Sequence, residues 1–210
     1  MSDLSPDDIR RAIEHASNFP RRVTPHALAI HARDEAEPEK QVEQEEDQAV
    51  VVADSPGILY GTWWHEFVQT IPWAEPDAQW QRKFSEAHSH SPQPDRAVRE
   101  WELLRSSMLA QWLSEPGRLI QVEVPFLWRE RGEMTCLEGV MDLAVYAEHE
   151  SAWHVIDWKT NRVGSTGSAG IVEIYRGQIE AYVRALREML SAEVKGSLYL
   201  TQTGEWVPVE

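Results

Sequence analysis

A single cysteine, Cys136, is all the thiol chemistry this 210-residue chain carries. That excludes a disulfide framework, a cysteine zinc site and a cluster held by four cysteines, and it fits a reducing cytoplasm. No apolar run approaches the roughly 18 residues of a membrane span. The opening MSDLSPDDIRR is too polar for a secretory signal, so the expectation is a cytoplasmic chain. Nowhere does G-x-x-x-x-G-K-[ST] occur, and without that phosphate-cradling loop these residues hold no ATP-driven motor of the Walker type. Basic residues are also scarce. Lys and Arg number 20 against 35 acids, a formal charge of −15. Residues 33–47 alone contribute −6, so the remainder still stands at −9. Any grip on nucleic acid must then be local, metal-assisted or supplied by a partner, because phosphate binding is driven largely by Lys and Arg.

What is present reads as one catalytic domain behind an N-terminal segment. Residues 7–17 have helical composition, and Thr24-Pro25 opens a second short helix through about His31. The acid-rich stretch 33–50 lacks aromatics and reads as a linker or solvated loop. We therefore divide the chain at 1–56 and 57–210. Helices are expected from Gly61 to about Thr70 and from Asp95 to Leu113, the latter stopped by Pro116-Gly117. After Gly117 the pattern alternates: LIQVEVPFLW, CLEGVMDLAVY and AWHVIDWK read as three strands. A helix from about Val172 to Leu190, the strand KGSLYLTQ and a last short strand EWVPV follow. The order predicts an α/β fold, with α+β as the alternative: one mixed sheet flanked by helices. The ten tryptophans read as large core or groove residues.

The densest chemical signal is Glu138-Gly139-x-x-Asp142, fourteen intervening residues, then Asp157-Trp158-Lys159. Both aspartates sit in apolar strand patterns, where an unpaired carboxylate is expensive to bury. Two strands joined by a short turn are antiparallel neighbours, which would bring the carboxylates together at one edge of the sheet. Paired carboxylates suit a hard, oxygen-seeking cation such as Mg²⁺. Strand alternation puts Lys159 on the same face as Asp157, where an ammonium can orient or help deprotonate a water and offset charge on a phosphate. The alternative is a salt-bridged pair on an edge strand. Tyr175, Gln178 and Tyr182 share one helix face, so Gln178 either reaches a nucleotide or a water at the metal, or caps a surface on which the tyrosines pack. His65 lies in GTWWHEFVQ on an apolar helix, a setting usual for a structural histidine. His88 and His90 lack a third ligand at a zinc spacing, and His154 is expected on a strand surface.

Five segments occur together and in order: GTWWHEFVQ, VEVPF, LEGVMDLAVY, VIDWKTNR and YRGQIEAY, with a fainter RVTPHALA before them. In this the chain resembles the RecB/AddA-type nuclease domains of the PD-(D/E)XK superfamily over roughly residues 57–202. The resemblance implies a restriction-endonuclease-like fold, with His65, Asp142, Asp157 and the Trp158 carbonyl as ligands of Mg²⁺ or Mn²⁺. It implies Lys159 as the catalytic lysine and Gln178 and Tyr182 as the Q-x-x-x-Y pair lining the site. Glu123 stands where an acidic residue often precedes the core hairpin, and its role stays open. Tyr175, Arg162 and Arg176 are candidates for substrate contact. The implied function is metal-dependent DNA hydrolysis in end processing and double-strand-break repair, alone or beside a helicase motor. The competing readings are an inactive DNA-binding scaffold and a small acidic adaptor.

Overall fold

A computed structural model describes residues 21–23, 56–129, 135–164 and 167–209. The expected helices at 7–17 and 24–31, and the acid-rich stretch 33–50, lie outside the described residues. Strand β1 (Arg21–Val23) is followed by helices α1 (Pro56–Val68), α2 (Asp77–Ala87), α3 (Pro94–Arg105) and α4 (Met108–Leu113). Then come β2 (Arg118–Trp128), β3 (Thr135–Ala147), β4 (Ala152–Lys159), α5 (Gly167–Leu190), β5 (Glu193–Leu200) and β6 (Glu205–Val209). Helix α1 thus starts earlier than the sequence pattern suggests. So does α5.

The six strands form one mixed sheet, with β1 parallel to β3, β2 and β4 antiparallel to β3, β5 parallel to β4, and β6 antiparallel to β5. A parallel neighbour needs a crossover, and α5 supplies it between β4 and β5. Apolar side chains fill both faces of the sheet, which is why the central strand AWHVIDWK reads as a nearly continuous buried run. On one face Leu143, Val145, Ile156, Trp158 and Tyr199 pack against Tyr60, Trp64, Trp101 and Leu109 of the early helices. On the other, Ala144, Val155, Leu198 and Leu200 pack against Ile179, Ala181, Ala185 and Leu186 of α5. Gly196 lets α5 approach closely, because a Cβ there would collide with Ile179 and Val183. The tryptophans behave as expected: Trp64, Trp80, Trp101 and Trp158 are among the largest fully buried side chains.

Two expectations need correction. The helix read from Asp95 to Leu113 is two helices, broken at Ser106-Ser107. Both serine hydroxyls bond back to carbonyls of α3, Ser106 to Glu102 and Ser107 to Leu104. Ser107 also accepts from the Ala110 amide and so caps α4. His154 is buried rather than on a strand surface, since β4 is covered on both faces, and Glu150 Oε2 lies 3.1 Å from its Nε2.

Candidate active site

The antiparallel pairing of β3 with β4 ends at Leu143 and Ile156. Beyond that step the ladder is replaced by a side chain: Asp142 Oδ2 accepts the Trp158 amide at 2.8 Å. The carboxylates therefore meet inside the sheet, where β3 leaves β4, and not at its outer edge. Asp142 is also the point where β3 loses its alternation. Leu143 and Val145 face one core and Ala144 the other, yet Met141 joins Ala144's side. Opposite Asp142, the β2 ladder steps from Val122–Leu143 to Val124–Met141 and skips Glu123, whose φ is 50°. A left-handed non-glycine residue within a strand stores about 1–3 kcal/mol, so neighbouring structure must hold it there.

These distortions converge on one spot. His65 of α1 has its Nδ1 3.2 Å from Asp142 Oδ1. One ligand atom each from His65, Glu123 and Asp142 lies within 4.8 Å of the others. Asp157, 3% exposed, stands beside this trio and turns to Lys159, whose Nζ lies 2.5 Å from Asp157 Oδ2. The approach angle leaves that buried oxygen without a directed hydrogen bond. Helix α5 completes the surroundings of the lysine. Lys159 Nζ donates to Gln178 Oε1 at 3.0 Å, Gln178 Nε2 donates to the Tyr182 hydroxyl at 3.0 Å, and Tyr182 donates to the Val140 carbonyl at 3.0 Å. An ammonium can only donate, which fixes the orientation of every later member of the relay. The ring of Tyr175 lies 4.0 Å from Lys159 Nζ, and its hydroxyl donates to Asn161.

Negative charge is in excess here. Burial, reinforced by Asp142 and opposed by Lys159, pushes the Asp157 carboxyl up to about 6. Burial and then Asp142 raise Glu123 in the same direction. Burial works against the charged form of His65, but the hydrogen bond and charge of Asp142 outweigh it and raise its pKa. Lys159 likewise overcomes its burial because Asp157 and Asp142 face it, and stays an ammonium. Clustered carboxylates, two of them with raised pKa values, beside an imidazole make a donor set suited to a hard divalent cation.

A sequence profile of the PD-(D/E)XK nuclease superfamily matches residues 53–206. The chain belongs to that superfamily. The mixed sheet with helices on both faces is the α/β, restriction-endonuclease-like fold of this PD-(D/E)XK chain. Among curated proteins it is 37% identical over 73 residues to an ATP-dependent helicase/nuclease subunit of Desulforudis audaxviator, covering 34% of this chain and 6% of that protein. The protein of the same name in Lachnoclostridium phytofermentans is 35% identical over 66 residues, 31% of this chain and 5% of the relative. That of Heliobacterium modesticaldum is 30% identical over 128 residues, 52% and 9%. The chain thus spans less than a tenth of the length of the relatives it matches.

Of the residues singled out from the sequence of this PD-(D/E)XK chain, the fold brings His65, Asp142, Asp157, Lys159, Gln178, Tyr182 and Tyr175 into one neighbourhood. Trp158 contributes its amide to Asp142, while its ring stacks on Trp73 in the core. Gln178 is engaged within the protein, holding Lys159 rather than reaching outward. Arg162 is exposed on the loop after β4, and Arg176 contacts Glu173 on the surface of α5. Glu123 is what the sequence left open. VEV by itself is ordinary strand alternation; the resemblance marked the position, and its place across from Asp142 brings the carboxylate into the cluster. Among the described residues no helix is long and apolar enough to cross a membrane.

Proposed function

We propose that this chain is a metal-dependent DNA nuclease hydrolysing phosphodiester bonds, with Mg²⁺ or Mn²⁺ held by His65, Glu123, Asp142, Asp157 and the Trp158 carbonyl. The carrying observation is the gathering of His65, Glu123 and Asp142 within 4.8 Å beside the buried Asp157–Lys159 pair. When bound, the cation supplies Lewis-acid polarisation of the scissile phosphate and of the attacking water. Hydrolysis forms a bond from water oxygen to phosphorus, breaks the bond from phosphorus to one strand oxygen, and moves a proton from that water, through solvent, to the departing oxygen. Lys159, held as an ammonium between two carboxylates, donates. It orients the water and offsets charge on the phosphoryl oxygens instead of taking a proton. Gln178 is a positioning residue that fixes Lys159, and Tyr182 fixes Gln178 in turn. Tyr175 screens the lysine from one side, and Arg162 and Arg176 are within the surface that meets the strand.

The curated relatives are named as helicase/nuclease subunits, which supports action beside a helicase motor, and the role we assign to that action is DNA end processing in double-strand-break repair. Residues 57–210 form the nuclease domain in this reading, and β1 from the N-terminal segment adds a strand beside β3. End-labelled DNA incubated with the purified chain in Mg²⁺ and in EDTA tests the proposal. Cleavage in Mg²⁺ that stops in EDTA is expected. Intact DNA in both would point to the inactive scaffold instead.

A further inference from the structure

Two adjoining clefts lie at the end of β4, outside the carboxylate site. One, of about 630 Å³, is bordered by Gly61, Gln93 and Asn161; the other, of about 320 Å³, by Arg99 and Gln202; Arg96 and Arg162 line both. Three arginines thus meet in a chain of charge −15. Among the described residues the only acid in either lining is Glu100, and it is spent: buried, it accepts from Arg96 at 2.5 Å and from Tyr60 at 2.9 Å. Arg99 and Arg162 are exposed and make no ion pair with a described residue. The clefts are therefore a local reversal of the molecule's sign.

Their walls are fixed in advance. Arg96 Nη2 donates to the Thr160 carbonyl at 2.5 Å, Thr201 N to the Lys159 carbonyl at 3.0 Å, and Val163 N to Gln202 Oε1 at 2.6 Å. The loop carrying Arg162 is thereby tied to α3 and to the end of β5. Gly61 keeps the wall open, since a Cβ there would stand 3.0 Å from Thr160 Oγ1. Arg162 follows Lys159 by three residues, so their backbones are at most about 11 Å apart.

We propose that these clefts seat the backbone phosphates of DNA flanking the scissile one, with Arg162 on the nearer phosphate and Arg99 on the next. The proposal rests on the nuclease reading for its substrate but makes a separate claim about binding. Phosphate contacts position a strand without reading its sequence, so binding through the clefts is indifferent to base order. Fluorescence anisotropy with a labelled single strand, in EDTA and at roughly 50 mM salt, tests it on the full chain. Arg162→Ala and Arg99→Ala should each weaken binding about three- to tenfold and flatten the plot of log affinity against log salt by roughly 0.7. Lys195→Ala, which removes the same charge near the other end of β5, should leave both unchanged. Wild-type affinity and slope in both arginine variants, an equal loss in the lysine variant, or no binding by the wild type would overturn the clefts. Cleavage without cleft-dependent binding would spare the nuclease reading alone, and cleft-dependent binding without cleavage would do the opposite.

Discussion

Asp142 does two jobs at once: it faces His65 and Glu123, and it takes the Trp158 amide where the β3–β4 ladder stops. Truncating it to Ala leaves that amide without a partner, at a cost of about 1–3 kcal/mol, whereas Asn keeps an acceptor and removes only the charge. In calorimetric titrations with Mn²⁺, Asp142→Asn and Asp157→Asn should lose binding by tenfold or more, with the unfolding midpoint of Asp142→Asn nearly intact. Glu123→Gln should weaken the same titration. Unchanged affinity in any of the three would remove that carboxylate from the metal site. At this scale the alternation of Asp157 and Lys159 was readable, because a two-residue spacing in a strand allows only one face. Glu123 was not, because neither its left-handed backbone nor the distant carboxylate it faces is written into the three letters VEV.

The elements are locked around the site by buried polar contacts. Arg96 of α3 joins Glu100, the ring of Tyr60 at 3.9 Å and the Thr160 carbonyl, binding α1 and α3 to the end of β4. Glu100→Ala would strand a nearly buried guanidinium and a buried phenol, so it should lower stability by about 3–5 kcal/mol in urea unfolding. A loss below about 1 kcal/mol would show that the three groups do not act together. At the opposite end of β4, Glu150 gathers Lys195, Trp112 and His154. Lys195 first, then Trp112 and His154, hold its carboxyl down at about 2 against an ordinary 4.5. Its folded value is depressed, so its contribution is complete above about pH 4.5 and fades as pH falls towards 2. Solvent screening limits that contribution to about 1 kcal/mol. The stability difference between wild type and Glu150→Gln should therefore be present at pH 6 and vanish near pH 2; a constant difference would contradict the assignment. The succession of strands after Gly117 and the helix between the third and fourth of them were legible from period and turn residues, whereas the place of β1 beside β3 was not. The break between α3 and α4 was not, since serine is tolerated within helices and only its back-bonding to Glu102 and Leu104 reveals the stop.

For the molecule as a whole, motif order was the reliable signal. A charge of −15 suggests a protein that avoids phosphate, yet Arg96 and Arg99 of α3 and Arg162 of the loop after β4 meet in the fold. Five weak motifs in the right order carried the superfamily because each is bound to a place in the sheet or in a helix packed on it. The excess of carboxylates at the centre still opposes DNA until a cation neutralises it, so Ca²⁺ should tighten DNA binding several-fold over EDTA in fluorescence anisotropy. Equal affinity in both would mean that the centre takes no part in holding the strand. The most direct measurement is single-turnover cleavage of labelled DNA in Mg²⁺ by the wild type, Asp142→Asn and Lys159→Ala. Cleavage by the wild type, abolished by the first variant and slowed roughly a hundredfold or more by the second, is the predicted result. Near-wild-type rates in both variants would contradict it, leaving Asp142 a strand cap and Lys159 half of a buried ion pair.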